Sequence, residues 1–501
     1  MDLADGWRAA APSWAEVVAA AERHRLGAIE LTMISDDSRQ VRPGTLFVAH
    51  GGARADGHAY IPQAVDQGAA LIVAEHPLPA PVPVCVVADG RRALSRLAAA
   101  WCGYPARRLR MVGVTGTNGK TTTVQLVAAI LAAAGYRPCL VGTLGFQRRP
   151  GERAAPLPWT TPPPVALHAW LAQEAHSGAD ACVMEVSAQS ISQERVSDCD
   201  FDVAAITNLT RDHGEYYNSA EAYARAKARL FRDLEHAGKP ARAVLYSELS
   251  YRSLFAEACR VPVLEFGPGA AVCALEVRPR GLDGTDLVLR LPGRPDGLAV
   301  RLRLPGQYNV DNALCAAAIG SALGLDAEAI SAGLGAVRSV PGRLQPVAEG
   351  EVRILVDYAH NPAGLRVVLR LLRDATAGQL VVVMGARGQR DRGKRFTMGC
   401  VAAAFADMVV LTSDRPAGED PEVAADLMRM AIMDCGVPVT FIADRFQALA
   451  RALEGRRPGD CVVAVGKGEE EWAGDSPRRE LNDVSALRAL GAAELAGRPG
   501  P

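Results

Sequence analysis

Residues 116–123 read Gly116-Thr117-Asn118-Gly119-Lys120-Thr121-Thr122-Thr123, directly after the apolar run 111–114 and directly before the helical pattern 124–134. A strand, a glycine turn, Gly-Lys-Thr and a helix, in that order, make a cradle for nucleotide phosphates. The glycines let the backbone turn sharply and point its N–H groups inward, Lys120 supplies a point charge for the outer phosphates, and the Thr121 hydroxyl is placed for magnesium. The spacing is tighter than the common G-x-x-x-x-G-K-[ST] pattern, because Val114 stands where its first glycine would fall.

Working outward from the cradle, the alternation of strand and helix continues. Apolar runs at 181–186 and 203–207 are separated by helical patterns, as expected of a parallel sheet wrapped by helices. The tail of this unit, 263–304, reads as short alternating strands with Pro-Gly and Asp-Gly turns before a helix at 310–323. Upstream, strand-like runs at 46–49, 70–74 and 84–88 and a helix at 94–101 suggest a small α/β module. Downstream of Pro341-Gly342-Arg343, strands at 353–356, 380–384, 408–411, 438–442 and 461–465, with helices at 363–375 and 399–405, predict a second doubly wound unit. The fold expected is α/β with three domains, 1–105, 106–340 and 341–501.

Composition agrees with a globular protein of that size. The chain has 501 residues, 49% apolar and 22% charged, with a formal net charge of −1 and both signs interspersed. No basic stripe argues for nucleic acid, and no uninterrupted apolar run of about 18 residues argues for membrane insertion. The first residues lack a basic-then-apolar leader pattern, so the expectation is a cytoplasmic protein acting as a monomer on small molecules. Eleven cysteines without a Cys-x-x-Cys pair read as small buried hydrophobes in a reducing compartment.

Phosphate chemistry needs magnesium, and magnesium needs oxygen ligands at the strand ends facing the phosphates. Glu185 closes the run 181–184, which puts its carboxylate at the carboxyl edge of the sheet beside the cradle. The next strand runs into Asn208-Leu-Thr-Arg-Asp212-His213, so an aspartate and a histidine emerge at the same edge. Lys227, on a helical pattern, reads on its own as a solvated surface charge.

Eight segments in register carry a family resemblance. They are the cradle, Glu185-Val-Ser187, Thr-Asn-Leu-Thr-Arg-Asp-His213, Ala-Lys227-Ala-Arg-Leu-Phe, Gly306-Gln-Tyr-Asn309-Val-Asp-Asn312, Pro-Gly-Arg343, Asp357-Tyr-Ala-His360 and Gly466-Lys-Gly468. In this order, spanning nearly the whole chain, they resemble the Mur ligases. The resemblance implies a three-domain ligase: a small uridine-binding domain, a central P-loop ATPase sheet and a Rossmann-like C-terminal domain. It implies ATP and Mg2+ as cofactors, with Thr121 and Glu185 on a first magnesium. It further implies that Lys227 is carbamylated and holds a second magnesium together with His213. Lys120, Lys227 and His213 would be the catalytic set. Gly116 through Thr122, with Asn309 or Asn312 near the adenine and Arg343 and Asp357 from the third domain, would bind ATP.

Within the family, the chain resembles the branch that adds a third residue to UDP-muramoyl-L-alanyl-D-glutamate. Asp37-Ser38-Arg39 and the stretch from Gly52 through Ala53, Arg54 and Ala55 to His58 resemble its uridine-binding segments. Thr160, Thr161, Ser187, Gln193 and Arg195 resemble the set that holds the muramoyl-dipeptide, the arginine answering its negative charge. Arg390, in the loop Arg390-Asp-Arg-Gly-Lys-Arg395, together with Gly466 and Glu470, would face the incoming amino acid. Diaminopimelate-adding members usually carry Asp-Asn-Pro-Arg, and lysine-adding ones commonly end that motif in alanine. Here it is Asp414-Arg415-Pro416-Ala417, so the arginine fork for a carboxylate is displaced by two residues or absent. Glu469, Gln189 and Gly214-Glu215-Tyr216-Tyr217 also depart from the usual pattern. The expected amino acid is meso-diaminopimelate, with lysine or another amino acid as alternatives. A paralogous folylpolyglutamate- or cyanophycin-type ligase would share the cradle, and a silent nucleotide-binding scaffold is the non-enzymatic rival.

Overall fold

The computed structural model describes residues 12–52, 55–152, 157–210, 214, 216–236, 238–388, 392–472, 481–495 and 497. Three sheet systems follow one another along the chain. In the first, strands Met33–Ser35, Thr45–Val48, Ala69–Ala74 and Val84–Val86 pair in parallel in that order. Helices Trp14–Arg23 and Gly90–Trp101 pack together over one face through Val17, Ala21, Leu94 and Leu97, all buried.

The central sheet has the order Val263–Phe266, Arg242–Tyr246, Val203–Ile206, Arg110–Thr115, Ala181–Glu185, Pro138–Gly142, Gly145–Gln147, parallel except for its last pair. Arg110–Thr115 sits at the point where later strands are added on both sides, the crevice in which open α/β sheets bind ligands. Register puts Glu185 beside Val114 and Ile206 beside Thr115, so the two neighbouring strands end level with the cradle. The helix after the cradle, Lys120–Ala133, is buried almost all round. Helices Gln307–Ala322 and Ala327–Ala336 cover its outer side, and Gly333 crosses so close to Ile130 that a Cβ there would meet backbone.

Two sequence expectations need correction in this unit. Val263–Phe266 is not part of the alternating β tail but the parallel edge strand of the central sheet. Only Cys273–Pro279, Thr285–Leu291 and Arg294–Leu302 form the antiparallel meander. A half-exposed edge strand carries the same short alternating pattern as a meander strand, so periodicity could not separate them. Pro138–Gly142, fully buried between two strands, lacks alternation and was not singled out.

The third sheet runs Gln345–Ala348, Arg353–Asp357, Cys461–Val465, Leu380–Arg387, Met408–Asp414, Val439–Phe441, parallel except for the first strand. It is doubly wound, as its alternation predicts. Leu369, Val401 and Met428 from helices Pro362–Ala375, Gly393–Ala403 and Pro421–Asp434 fill one face. Leu449 and Leu487 from Arg445–Leu453 and Asp483–Ala489 fill the other. The helix expected at 399–405 begins six residues earlier, at Gly393.

The cysteines behave as small hydrophobes. All are free, and Cys85, Cys139, Cys182, Cys199, Cys273, Cys315 and Cys461 are buried. Among the described residues, no helix is long and apolar enough to cross a membrane.

Candidate active site

The cradle is held by side chains that its own sequence does not contain. Gly116 has φ +137° and Gly119 φ +84°, and each is pressed by a neighbour. A Cβ on Gly116 would collide with Thr207 Oγ1, and one on Gly119 with Asn312 Oδ1. Glycine is required at both for conformation and for space. Thr207 donates to Asn118 O at 2.6 Å, Asn208 donates to the same oxygen at 3.0 Å, and the Thr117 hydroxyl donates to Thr210 O. Asn309 lies behind Asn312, accepting its amide at 3.1 Å. Lys120 Nζ donates to Gly116 O and Thr117 O, both at 2.9 Å, which folds its charge over the loop. Thr122, in the first turn of the helix, is buried.

Glu185 is not at a solvent-facing strand end: it is 1% exposed. Its Oε1 accepts from Thr121 Oγ1 at 2.9 Å and from the Thr143 N–H at 2.8 Å, and its Oε2 from the Thr143 hydroxyl at 3.1 Å. Hard oxygens from Thr121 and Glu185 therefore meet beside the first turn of the cradle helix, a donor set suited to magnesium.

Lys227 overturns the solvated-charge expectation, being 1% exposed. Helix Ala220–Arg232 turns Tyr223, Lys227 and Phe231 inward at four-residue intervals. The amine donates to Gly116 O at 3.0 Å and Thr115 Oγ1 at 3.3 Å, and lies 4.7 Å from the centre of the Tyr223 ring. A lysine one helical face away from the sheet looks the same in sequence; only packing of the helix against the cradle strand distinguishes it. His213, Ala53, Arg54 and Arg390 lie outside the described residues.

The expected dipeptide set comes together next to Glu185. Thr161 Oγ1 donates to Glu185 O at 2.9 Å and accepts from the Ser187 N–H at 3.1 Å. Thr160 lies 3.4 Å from the Thr143 hydroxyl. Arg195 donates to Thr161 O and Gln193 Oε1, and burial draws its pKa below the ordinary guanidinium value. In the first domain, the Ser38 hydroxyl donates to Gln63 Oε1 at 2.9 Å, leaving its lone pairs to accept, and Ala55 is exposed.

The third domain reaches across to the cradle. Arg343 Nη2 donates to Thr121 Oγ1 at 2.8 Å, and Asn361 donates to Asn118 Oδ1 at 3.0 Å. Asp357 anchors this approach: its carboxylate accepts from the Leu344 and Ala359 N–H groups at 2.6 and 2.7 Å. Burial pushes the Asp357 carboxyl up, against the pull of Arg343. Between the domains lies a cavity of about 1020 Å³, lined from Lys120, Thr121 and Glu185 at one end to Arg387, Arg415 and Glu470 at the other.

The far wall is a network of charges. Lys467 pairs with Asp414 at 3.2 Å, and Arg387 with Glu470 at 2.6 Å. Burial opposes the charge on Asp414, yet Lys467, Arg387 and Arg445 hold its carboxyl below the usual range. Asp414 and Gly466 stand behind the wall, while Arg415 and Glu470 line it. Pro416 and Ala417 belong to the turn that backs against Gly388, Arg415 and Ala417 having φ +47° and +50°. Sequence reasoning missed Thr143, Tyr358, Arg387 and Lys467. Only Tyr358 and Lys467, inside quoted motifs, had a signal.

A phosphate cradle at a sheet switch point, facing a second doubly wound domain across a large shared cavity, defines a P-loop nucleotide-dependent enzyme. Comparisons with known proteins narrow the class. Residues 114–320 match the Mur ligase middle domain, 342–468 the Mur ligase glutamate ligase domain, and 30–101 the Mur ligase family catalytic domain. UDP-N-acetylmuramoyl-L-alanyl-D-glutamate--2,6-diaminopimelate ligase of Gloeobacter violaceus is 40% identical over 452 residues, covering 89% of this chain and 90% of that one. The enzyme of the same name from Geobacillus kaustophilus is 38% identical over 456 residues, covering 90% and 92%. A solved structure of a protein with that name superposes with TM-score 0.66 at 30% identity, covering 94% of this chain and 96% of that one. The chain belongs to the Mur ligase family.

Proposed function

We propose that this protein is the ATP-dependent ligase that joins meso-diaminopimelate to UDP-N-acetylmuramoyl-L-alanyl-D-glutamate in peptidoglycan precursor synthesis. The observation that carries the reading is a single cavity that holds three partial sites at once. These are the phosphate cradle, the Thr160, Thr161, Ser187 and Arg195 cluster, and the charged wall of the third domain. Relatives of this length and identity bear the name of that activity.

The residues divide the work. The cradle N–H groups and Lys120 bind the triphosphate and neutralise its outer charge. Arg195 holds the free carboxylate of the D-glutamyl residue, one of whose oxygens takes the γ-phosphoryl group as the bond to the ADP oxygen breaks. The amine of the third amino acid then attacks the carbonyl carbon of this acyl phosphate. The C–O bond breaks, inorganic phosphate leaves, and the nitrogen gives up a proton as the amide closes. No side chain need serve as nucleophile, so catalysis is positioning and charge, and the Arg343–Thr121 link keeps the two domains closed over the reacting groups.

Thr121 and Glu185 would hold one magnesium ion; Lys227, as its carbamate, would hold a second together with His213. Bound there, the metal supplies neutralisation of the phosphate charge. Carbamylation fits a buried amine beside the cradle, because CO2 addition converts a cation into a carboxylate-like oxygen ligand. We expect the protein to work in the cytoplasm as a monomer, as read from its sequence.

The test incubates purified protein with ATP, magnesium and UDP-muramoyl-L-alanyl-D-glutamate, offers diaminopimelate, lysine and ornithine separately, and weighs the products. The expected result is ADP and the diaminopimelate tripeptide. Absence of ADP with every amine overturns the reading.

A further inference from the structure

Helix Pro421–Asp434 of the third domain shows solvent a face that its neighbours leave bare. Ala424, Ala425, Met428, Ala431 and Ile432 turn into the core. Val423, Leu427 and Met430, spaced four and three residues apart, form one stripe on the outside, with Met433 beside its far end. Val423 is 54% exposed and Met430 56%. No other helix among the described residues exposes more than one large apolar side chain. Single apolar residues are ordinary on a protein surface; a row of them along one helix marks a contact.

The next helix adds to the patch. Gly399 of Gly393–Ala403 comes so close that a Cβ there would meet Met428 O and the Ala431 Cβ, so the two helices lie against each other along the Ala431 side. Phe396, one turn before Gly399, is half exposed. None of these residues lines the cavity of the candidate active site. The flank away from Ala431 carries charge in a definite order. Glu422 and Asp426 come early in the helix and Arg429 past its middle, Arg429 pairing with Asp426 at 2.6 Å and with Glu422 at 3.2 Å. Both pairs are half exposed, so they hold little energy and are readily traded for pairs across an interface.

We propose that this face binds a second copy of the same chain, helix Pro421–Asp434 lying antiparallel on its twin. The order of charge selects that occupant and that direction. In an antiparallel pair about a two-fold axis near Leu427, each flank faces its own counterpart, so Arg429 stands between Glu422 and Asp426 of the second copy, twice over. In the same register Met430 lies over the second copy's Val423, and the two Leu427 side chains meet on the axis. A parallel pair would instead set carboxylate against carboxylate and arginine against arginine. A helix of 14 residues is about 21 Å long, and a strip of that size is smaller than the roughly 800 Å² per partner of a standard interface, so the dimer is weak. The single chain expected from the sequence is its dilute form. The inference stands apart from the ligase reading.

The experiment is sedimentation velocity on the full-length protein from about 2 to 200 µM, a range that brackets weak association. Wild-type protein is expected to move from the mass of one chain toward that of two as concentration rises. Leu427→Glu combined with Met430→Glu is expected to keep the mass of one chain throughout, with a melting curve that matches wild type. Arg429→Glu and Glu422→Arg each place like charges face to face and should weaken association about tenfold. An equimolar mixture of those two variants should associate again, because every reversed charge then meets its opposite on the other chain. A double variant that associates as wild type does, or a mixture no stronger than its two components, overturns the antiparallel pairing. Wild-type protein that keeps the mass of one chain at the highest concentration overturns the second copy as occupant.

Discussion

The cradle and the charged wall face each other across one cavity, yet they are built on opposite principles. At the cradle, the groups expected to meet phosphate are backbone N–H donors, and what makes the shape possible is the absence of side chains at Gly116 and Gly119. At the wall, the groups expected to meet the amino acid are the tips of long side chains set by ion pairs among Arg387, Asp414, Lys467 and Glu470. The cradle's donors come from eight consecutive residues, braced from outside by Thr207, Asn208 and Asn312; the wall draws on strand ends 27 to 83 residues apart and can be rewritten one residue at a time. The part of the site built from backbone and the part built from side-chain tips thus sit on different domains.

The sharpest blow to the cradle side is Lys227→Ala. Removing the buried amine takes away the group that lies on Gly116 O and, in the proposed reading, the carbamate ligand. Turnover should fall by about a thousandfold, with partial rescue by added short carboxylates, while wall-side binding of the amino acid is unaffected. Full activity in that variant breaks the comparison, because the cradle would then not depend on what surrounds it.

Acidification separates the two regions next. His168, on helix Pro164–His176 of the central domain, is fully buried with neither ring nitrogen bonded among the described residues, and burial lowers its pKa from 6.5 to about 4. The unfolded chain therefore binds a proton here before the folded chain does. Stability is intact above pH 6.5 and is lost as pH falls, by about 3 kcal/mol at pH 4. Asp414 in the wall has its carboxyl held below the usual range, so its contribution persists until still lower pH. Hydrogen exchange at pH 7 and pH 4.5 should show the central domain losing protection first. His168→Leu should flatten the response; equal loss in both domains would remove the distinction.

How much of this was legible in the sequence follows the same division. Strand, turn and helix around residues 116–123 are local, and Glu185 was placed correctly because strand register carries it to the cradle edge. The doubly wound character of the third domain was readable from its alternation. The burial of Lys227 was not, since it depends on which face of Ala220–Arg232 meets the sheet; only the family resemblance singled that lysine out. Arg387 carried no signal at all: an arginine at the end of an apolar strand is common, and its role exists only through Glu470, far along the chain. The edge strand Val263–Phe266 was misassigned because half-buried alternation does not tell parallel from antiparallel pairing.

A glycine substitution probes the claim that the cradle is shaped by absence. Gly119→Ala introduces a Cβ at φ +84° and against Asn312 Oδ1, so strain and collision act together. We expect a loss of about 2 kcal/mol, read as a lower melting temperature and as weaker ATP binding by calorimetry. Asn312→Ala combined with Gly119→Ala should recover the part due to collision and leave the part due to backbone conformation. A double variant no better than the single one would show that the neighbour is not what closes the space.

The smallest expected effect falls on the link between the two regions. Arg343 donates to Thr121 at 2.8 Å and stacks 4.2 Å over the Tyr358 ring, so one side chain touches the cradle helix and the tyrosine that holds Glu470. Arg343→Ala removes one charge-assisted contact to the cradle and leaves every wall ion pair in place. KM for ATP should rise about tenfold and KM for the amino acid about threefold, the second change arising only through a less constrained Tyr358. Arg343→Lys, which keeps the charge but not the planar fork, should recover the ATP term better than the amino-acid term. If both constants rise by the same factor, the arginine acts by holding the domains together. If only the ATP constant moves, cradle and wall are independent of this arginine, and the coupling between them has to be sought elsewhere, first in Asn118 and Asn361, another direct contact across the cavity.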